Sequence, residues 1–193
     1  MQARLAAKDL ACRRGDRLLF RGLSLECDSG AAVHVTGANG IGKSSLIRIL
    51  AGLLRPFAGT VETVGGIGLV DDRLALDGSL PLGKALAFWE TLDGCRDAGR
   101  AMELLDLADL LDVPVCFLST GQRKRAALAR LLNRNCPVWL LDEPLNGLDT
   151  QAQKAFEALI AQHCQGGGIA IVASHQPIAL PSQRTIALAE FAA

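Results

Sequence analysis

The chain has 193 residues, half of them apolar, which suits one domain with a sizeable core or one domain with a small inserted lobe. Lys+Arg and Asp+Glu balance at 20 each, so the formal net charge is zero, which argues against a general nucleic-acid binder with its basic excess. The N-terminus lacks a signal peptide's apolar stretch, no run of about 18 apolar residues offers a membrane span, and the six cysteines contain no C-x-x-C pair for a zinc ribbon or covalent haem attachment. The expectation is a cytosolic protein with six reduced, mostly buried thiols.

Residues 4–12 and 17–27 are apolar-rich with partial alternation, and predict two antiparallel strands joined by a turn at Arg14-Gly15-Asp16. After a turn at Ser29-Gly30, residues 31–36 predict a short buried strand. It runs into Gly37-Ala38-Asn39-Gly40-Ile41-Gly42-Lys43-Ser44, which fits G-x-x-x-x-G-K-[ST], the phosphate-binding P-loop. The glycines let backbone N–H groups converge on one anion. Lys43 brings a positive charge to the outer phosphates, and Ser44 offers a hydroxyl to Mg²⁺. The helix over residues 45–51 aims its positive dipole end at the same phosphates and stops near residues 52–56. Residues 60–63 and 67–70 predict short strands around Gly65-Gly66.

From residue 71 to 135 the pattern is helical, which marks a helical lobe inserted in a sheet-based core. Leu82, Ala85, Leu86 and Trp89 share one face, and Ala101, Leu104, Leu105, Ala108 and Leu111 follow helical spacing. Within this stretch, Leu118-Ser119-Thr120-Gly121-Gln122 opens a helix containing Arg123, Lys124, Arg125 and Arg130. Ser119 followed by Gln122 is a capping box. The start is either just a well-capped amphipathic helix or, through Ser119 and the Gly121 N–H, a second anion site. Two phosphate-facing helix ends far apart in sequence serve one nucleotide if two chains pair head to tail.

Residues 137–141 predict a buried strand that ends in Asp142-Glu143. Ligands in open α/β sheets bind at the carboxyl ends of strands. Asp142 is placed there to hold the Mg²⁺ that Ser44 touches, and Glu143 to orient or deprotonate an attacking water. A helix over residues 150–164 carries Phe156, Leu159, Ile160 and His163 on one stripe, and Gly166-Gly167-Gly168 stops it. Residues 169–173 form the continuous apolar run of a parallel sheet, ending at Ser174-His175-Gln176. Residues 185–189 predict a last strand.

The segment from Leu118 to Gln122 resembles the LSGGQ signature of ATP-binding cassette (ABC) proteins, with Thr120 in place of the first glycine. The order of motifs is similar to that family over essentially the whole chain: P-loop, helical lobe, signature, Walker B strand ending at Asp142, then Glu143. A D-loop follows at Leu145-Asn146-Gly147-Leu148-Asp149, and a switch histidine at His175. No N-K-x-D guanine motif is present. The resemblance implies an α/β fold of the P-loop NTPase ABC type. Residues 1–70 and 136–193 would form a mostly parallel sheet core with an N-terminal antiparallel β part, and residues 71–135 the helical lobe. It also implies ATP hydrolysis with Mg²⁺ in a head-to-tail homodimer. Residues 37–45, Ser45 included, would bind one ATP, and residues 118–122 of the other copy would cap its γ-phosphate. Glu143 would polarise the water, His175 would contact the γ-phosphate region, and Asp149 would couple the two sites. Two positions depart from the pattern. Arg14 stands where the family has an aromatic residue on adenine, in a chain with no tyrosine, and a guanidinium also stacks on a base. Asp72, or else Asp71, stands where the family has a glutamine. A carboxylate there either approaches Mg²⁺ or is a charge on the lobe surface.

Residues 17–25, residues 39–53 and Ser174-His175-Gln176-Pro177 resemble, within the superfamily, the ATP-binding subunit of the cytochrome c maturation system, the haem exporter ATPase family. That resemblance implies a peripheral protein on the cytoplasmic face of a bacterial inner membrane. It would reach the membrane through an integral permease subunit of the maturation complex, and its hydrolysis would drive haem export, delivery or release. His34, His163 and His175 have no evident common pocket, so nothing predicts that this chain touches haem. An ABC ATPase for another substrate and an ATP-binding scaffold without turnover are the alternatives. Arg14, Asp72 and Thr120 lean towards the scaffold, while Lys43, Ser44, Asp142 and Glu143 lean against it.

Overall fold

Alternating apolar residues build two long antiparallel strands at the start of the chain, β1 (Arg4–Arg14) and β2 (Arg17–Asp28). The computed structural model describes residues 2–94, 98–181 and 184–192. Leu23, Leu25 and Cys27 of β2 point inward at every second position, as the pleat dictates. On β1 the alternation Leu5, Ala7 slips by one residue to Leu10, because Asp9 is left-handed (φ 49°) and bulges the strand. β4 (Ala58–Val64) pairs with the other edge of β1, giving a three-stranded antiparallel sheet in the order β2-β1-β4.

The second sheet is parallel, with five strands in the order β5-β6-β7-β3-β8. They are β3 (Ala32–Thr36), β5 (Ile67–Val70), β6 (Val138–Asp142), β7 (Ile169–Ala173) and β8 (Arg184–Ala187). Every residue of β6 and β7 is buried, as in a sheet covered on both faces. The alternation sorts them into two cores. Val138, Leu140, Ile169 and Ile171 pack with α1 (Lys43–Leu50) and the antiparallel sheet. Trp139, Leu141, Ala170 and Val172 pack with the helical layer. Each fully buried Val, Leu or Ile contributes about 1.5–3 kcal/mol, so this strand centre is firmly anchored on both faces.

The helical layer comprises α2 (Leu82–Asp93), α3 (Ala98–Leu104), α4 (Thr120–Arg134) and α5 (Thr150–Gln165). Leu82, Ala85 and Leu86 of α2 are buried together, as the spacing predicts. The expected stripe from Ala101 to Leu111 does not form as one helix. α3 stops at Leu104, which is exposed, and Asp106 turns left-handed (φ 50°). Stopping there carries Leu105 and Leu107, two residues apart, into the same core, which one helix face cannot do. The strands on either side of Gly65-Gly66 do not pair with each other: β4 joins the antiparallel sheet and β5 the parallel one. The last strand ends at Ala187, and Leu188–Phe191 winds into a 3₁₀ turn that buries Leu188. Cys12, Cys27, Cys136 and Cys164 are buried free thiols and Cys116 is exposed, while Cys95 lies outside the described residues. Among the described residues no helix is long and apolar enough to cross a membrane.

Candidate functional site

β3 delivers the chain into the P-loop and α1 carries it away, so the loop sits at the carboxyl end of the parallel sheet. Gly42 has φ 120°, and a Cβ there would lie 3.2 Å from Phe20 Cδ1 and 3.3 Å from Leu19 Cβ. The β1–β2 hairpin therefore presses on the loop and helps to set its shape. Lys43 is only 6% exposed. Its Nζ donates to the Gly37 carbonyl (2.8 Å) and the Ala38 carbonyl (3.3 Å), which folds the charge over the loop. The first turn of α1, with Ser44 and Ser45, leaves backbone N–H groups without helix acceptors, as every helix start does.

Opposite the loop, Asp142 ends β6 and is 5% exposed. Burial pushes its carboxyl above the usual range, a shift opposed by the Ser44 hydroxyl that hydrogen-bonds to it and reinforced by the Glu143 charge. Its Oδ1 is buried with no hydrogen-bond partner in the protein. A lone buried carboxylate oxygen beside a hydroxyl suits a hard divalent cation, which takes oxygen ligands. Glu143 follows in a left-handed conformation (φ 46°), pinned by its N–H to the Ala173 carbonyl at 2.8 Å. Such a conformation costs a non-glycine residue on the order of 1 kcal/mol. It turns the side chain back to the site, where Oε2 lies 2.9 Å from His175 Nδ1 and Oε1 lies 3.5 Å from Lys43 Nζ. The His175 backbone N–H also donates to Oε1, at 3.2 Å.

The start of α4 is capped from both sides. Ser119 Oγ accepts from the Gln122 N–H at 3.2 Å, and Gln122 Oε1 accepts from the Ser119 N–H at 2.8 Å. Leu118 is buried beneath it. Gly121 packs so tightly on the Gly147 carbonyl that a Cβ would overlap it, and Gly147 itself has φ 80°. The segment from Leu145 to Asp149 therefore lies against the start of α4 in the same chain. Asp149 is the N-cap of α5, its Oδ1 accepting from the Ala152 N–H at 2.8 Å. Among the described residues no hydrogen bond or ion pair joins residues 118–122 to residues 37–45, Glu143 or His175 of the same chain.

Two further positions sit at the margin. Arg14 is exposed at the tip of the β1–β2 hairpin. Asp72 is 78% exposed and pairs with Arg48 Nη2 of α1 at 2.9 Å, while the less exposed Asp71 takes the same guanidinium at 3.1 Å. Lys124 was not singled out from the sequence. Its Nζ lies 3.4 Å from the Asp142 carbonyl and 3.5 Å from the Asp71 carbonyl, so α4 reaches the backbone at the ends of β6 and β5. Burial lowers its pKa, against the pull of Asp142, Asp71, Asp72 and Glu143. The signal was a lysine four and seven residues before the buried Leu128 and Leu131, a cation set in an apolar stripe.

A family model described as "ABC transporter" matches residues 20–146. The chain is 62% identical over 187 residues to the "Cytochrome c biogenesis ATP-binding export protein CcmA" of Novosphingobium aromaticivorans, covering 97% of this chain and 96% of that protein. It is 53% identical over 192 residues to the protein of the same description from Zymomonas mobilis, covering 99% of this chain and 87% of the relative. Among solved structures it is similar to an ABC transporter ATP-binding protein from Pyrococcus furiosus. The TM-score is 0.81 at 21% identity, over 98% of this chain and 100% of that one. At that identity the likeness concerns the fold alone.

Proposed function

We propose a function for a chain that belongs to the ABC transporter family and, within it, to the cytochrome c biogenesis ATP-binding export proteins. It hydrolyses ATP at the cytoplasmic face of a bacterial inner membrane to energise haem export, delivery or release during c-type cytochrome maturation. The observation that carries the hydrolytic reading is Glu143, which faces Lys43 of the P-loop on one side and His175 on the other.

The roles follow from the groups present. Residues 37–45 wrap the phosphates with backbone N–H groups, and Lys43 exchanges the loop carbonyls for the outer phosphates. The hydroxyl of Ser44 and the free oxygen of Asp142 are the groups that would hold Mg²⁺. Bound there, the ion offsets the charge of the β- and γ-phosphates. Glu143 holds the attacking water and takes its proton, and His175 keeps the carboxylate oriented and reaches the γ-phosphate. Arg14, exposed at the tip of the hairpin whose Leu19 and Phe20 approach Gly42, is the candidate adenine contact. Asp72 is held to Arg48, which favours a surface charge over a metal ligand.

The site is completed by a second copy. Ser119 and Gly121 present a capped helix start that does not meet its own P-loop, so it is available to the γ-phosphate of a head-to-tail partner. Asp149, two residues past the Gly147 that packs on Gly121, carries the state of one site to the other. Residues 71–135 act as the helical lobe and residues 1–70 and 136–193 as the core of one cassette. Membrane contact runs through an integral permease subunit.

The test is a deletion strain scored for haem-bearing c-type cytochromes and complemented with the wild-type chain or Lys43→Ala. Loss of the cytochromes, restored by wild type and not by Lys43→Ala, is the expected result. Normal cytochromes in the deletion, with ATPase activity intact in the purified chain, would leave an ABC ATPase serving another cargo.

A further inference from the structure

Helix α4 lies along β5 and is tied to it at both ends. Near its start, Lys124 Nζ reaches the carbonyl of Asp71, the residue just past the end of β5, and that of Asp142, the last residue of β6. At its other end, Arg134 Nη1 donates to the carbonyl of Ile67, the first residue of β5, at 3.0 Å. The Lys124 tie differs in that one ammonium spans the ends of two strands. Its half-buried ammonium faces the carboxylates of Asp142, Asp71, Asp72 and Glu143, and burial alone would disfavour its charge. It is also well placed for leverage. Lys124 lies five residues beyond Ser119, about 7.5 Å along the helix axis, so small displacements of Lys124 move the helix start nearly one for one.

We propose that Lys124 is a positioning residue that clamps the start of α4 to the ends of β5 and β6, and so sets where this chain presents Ser119 and Gly121 to the ATP of a second copy. One cation thereby links the two half-sites of a single chain: the strand end that carries Asp142 beside its own nucleotide and the helix start that serves its partner's. Nucleotide binding at the chain's own P-loop does not need this link, because among the described residues no hydrogen bond or ion pair joins Lys124 to residues 37–45. Formation of the ATP-bridged dimer does need it. This inference rests on the two-copy site proposed above.

The experiment uses the full chain with Glu143→Gln as the non-hydrolysing parent, and adds Lys124→Met, Lys124→Arg or Arg134→Met. Trinitrophenyl-ATP fluorescence reads nucleotide affinity, and light scattering on a size-exclusion column with ATP reads dimerisation. Lys124→Met should leave affinity within about twofold while weakening dimerisation about tenfold or more, the scale of one lost charge-assisted hydrogen bond. Lys124→Arg should restore the dimer, and Arg134→Met should match the parent. A parent that binds ATP and stays monomeric would remove the two-copy site itself. A Lys124→Met variant that dimerises like the parent, or defects equal in Lys124→Met and Arg134→Met, would overturn the role of Lys124. Should Lys124→Met fail to fold, Lys124→Gln keeps N–H donors without the charge, and the same outcomes apply to it.

Discussion

Glu143 Oε2 lies 2.9 Å from Nδ1 of His175, joining the turn after β6 to the end of β7. The same carboxylate faces Lys43 at 3.5 Å, so it is already oriented towards the phosphate loop. Glutamine keeps the shape and an acceptor oxygen but takes no proton from water. Glu143→Gln should therefore lower phosphate release by about 10²–10⁴-fold, the usual scale of general-base catalysis. ATP affinity should survive, and an ATP-bound dimer should accumulate. Equal steady-state hydrolysis by variant and wild type would remove Glu143 from the base role.

Lys43 is buried against the loop it serves, donating to the Gly37 and Ala38 carbonyls. Alanine there leaves the strand and α1 in place, because neither backbone bond of the helix depends on the ammonium. It removes the one cation within the loop, and a hydrogen bond from a charged group contributes about 1.5–3 kcal/mol. Lys43→Ala should weaken ATP binding by about ten- to hundredfold, with the circular dichroism spectrum unchanged. Titration of a fluorescent ATP analogue measures it, and an affinity within twofold of wild type would place phosphate binding elsewhere.

Much of this was legible because it is local. A strand running into a glycine loop and then a helix is one short stretch of chain, and so is the Ser119–Gln122 capping box. The continuous apolar runs at β6 and β7 announce burial on both faces. Long-range partners were not legible. Nothing in residues 58–70 says that β4 leaves for the antiparallel sheet while β5 joins the parallel one. The break at Asp106 was hidden because Leu104, Leu105 and Ala108 keep helical spacing, and only the core decides that Leu107 goes inside. Lys124 looked like one more charge on a basic helix until the ends of β5 and β6 were placed beneath it.

Thiol chemistry separates the described cysteines by burial. The thiols of Cys12, Cys136 and Cys164 are pushed above their ordinary range by desolvation, and that of Cys27 is raised to about 11. The thiolate is the nucleophile, and buried sulfur is also out of reach. Brief iodoacetamide treatment of the native protein at pH 8 should therefore label Cys116, which is exposed, and spare these four. Peptide mapping by mass spectrometry resolves each site, and the four should label together in denaturant. Rapid native labelling of Cys27 would show that the β1–β2 sheet opens far more readily than its packing implies.

Gly121 and Gly147 meet where the start of α4 lies against the segment before α5, and a methyl group on Gly121 would occupy the position of the Gly147 carbonyl. The carbonyl belongs to a left-handed residue (φ 80°) held between Leu145 and Leu148, both buried, so it has little room to retreat. Overpacking of this kind costs about 1–3 kcal/mol. In a domain of this size each kcal/mol lowers the melting midpoint by about 2–4 °C. Gly121→Ala should show that loss by calorimetry. It should also lower ATP turnover, because the Gly121 N–H and Asp149, two residues past Gly147, both shift. Affinity for ATP at the chain's own P-loop should not change, since among the described residues no hydrogen bond or ion pair joins residues 118–122 to residues 37–45. Wild-type melting and turnover together would mean that the Gly147 turn yields freely, and that its close approach to α4 does not set the geometry between copies.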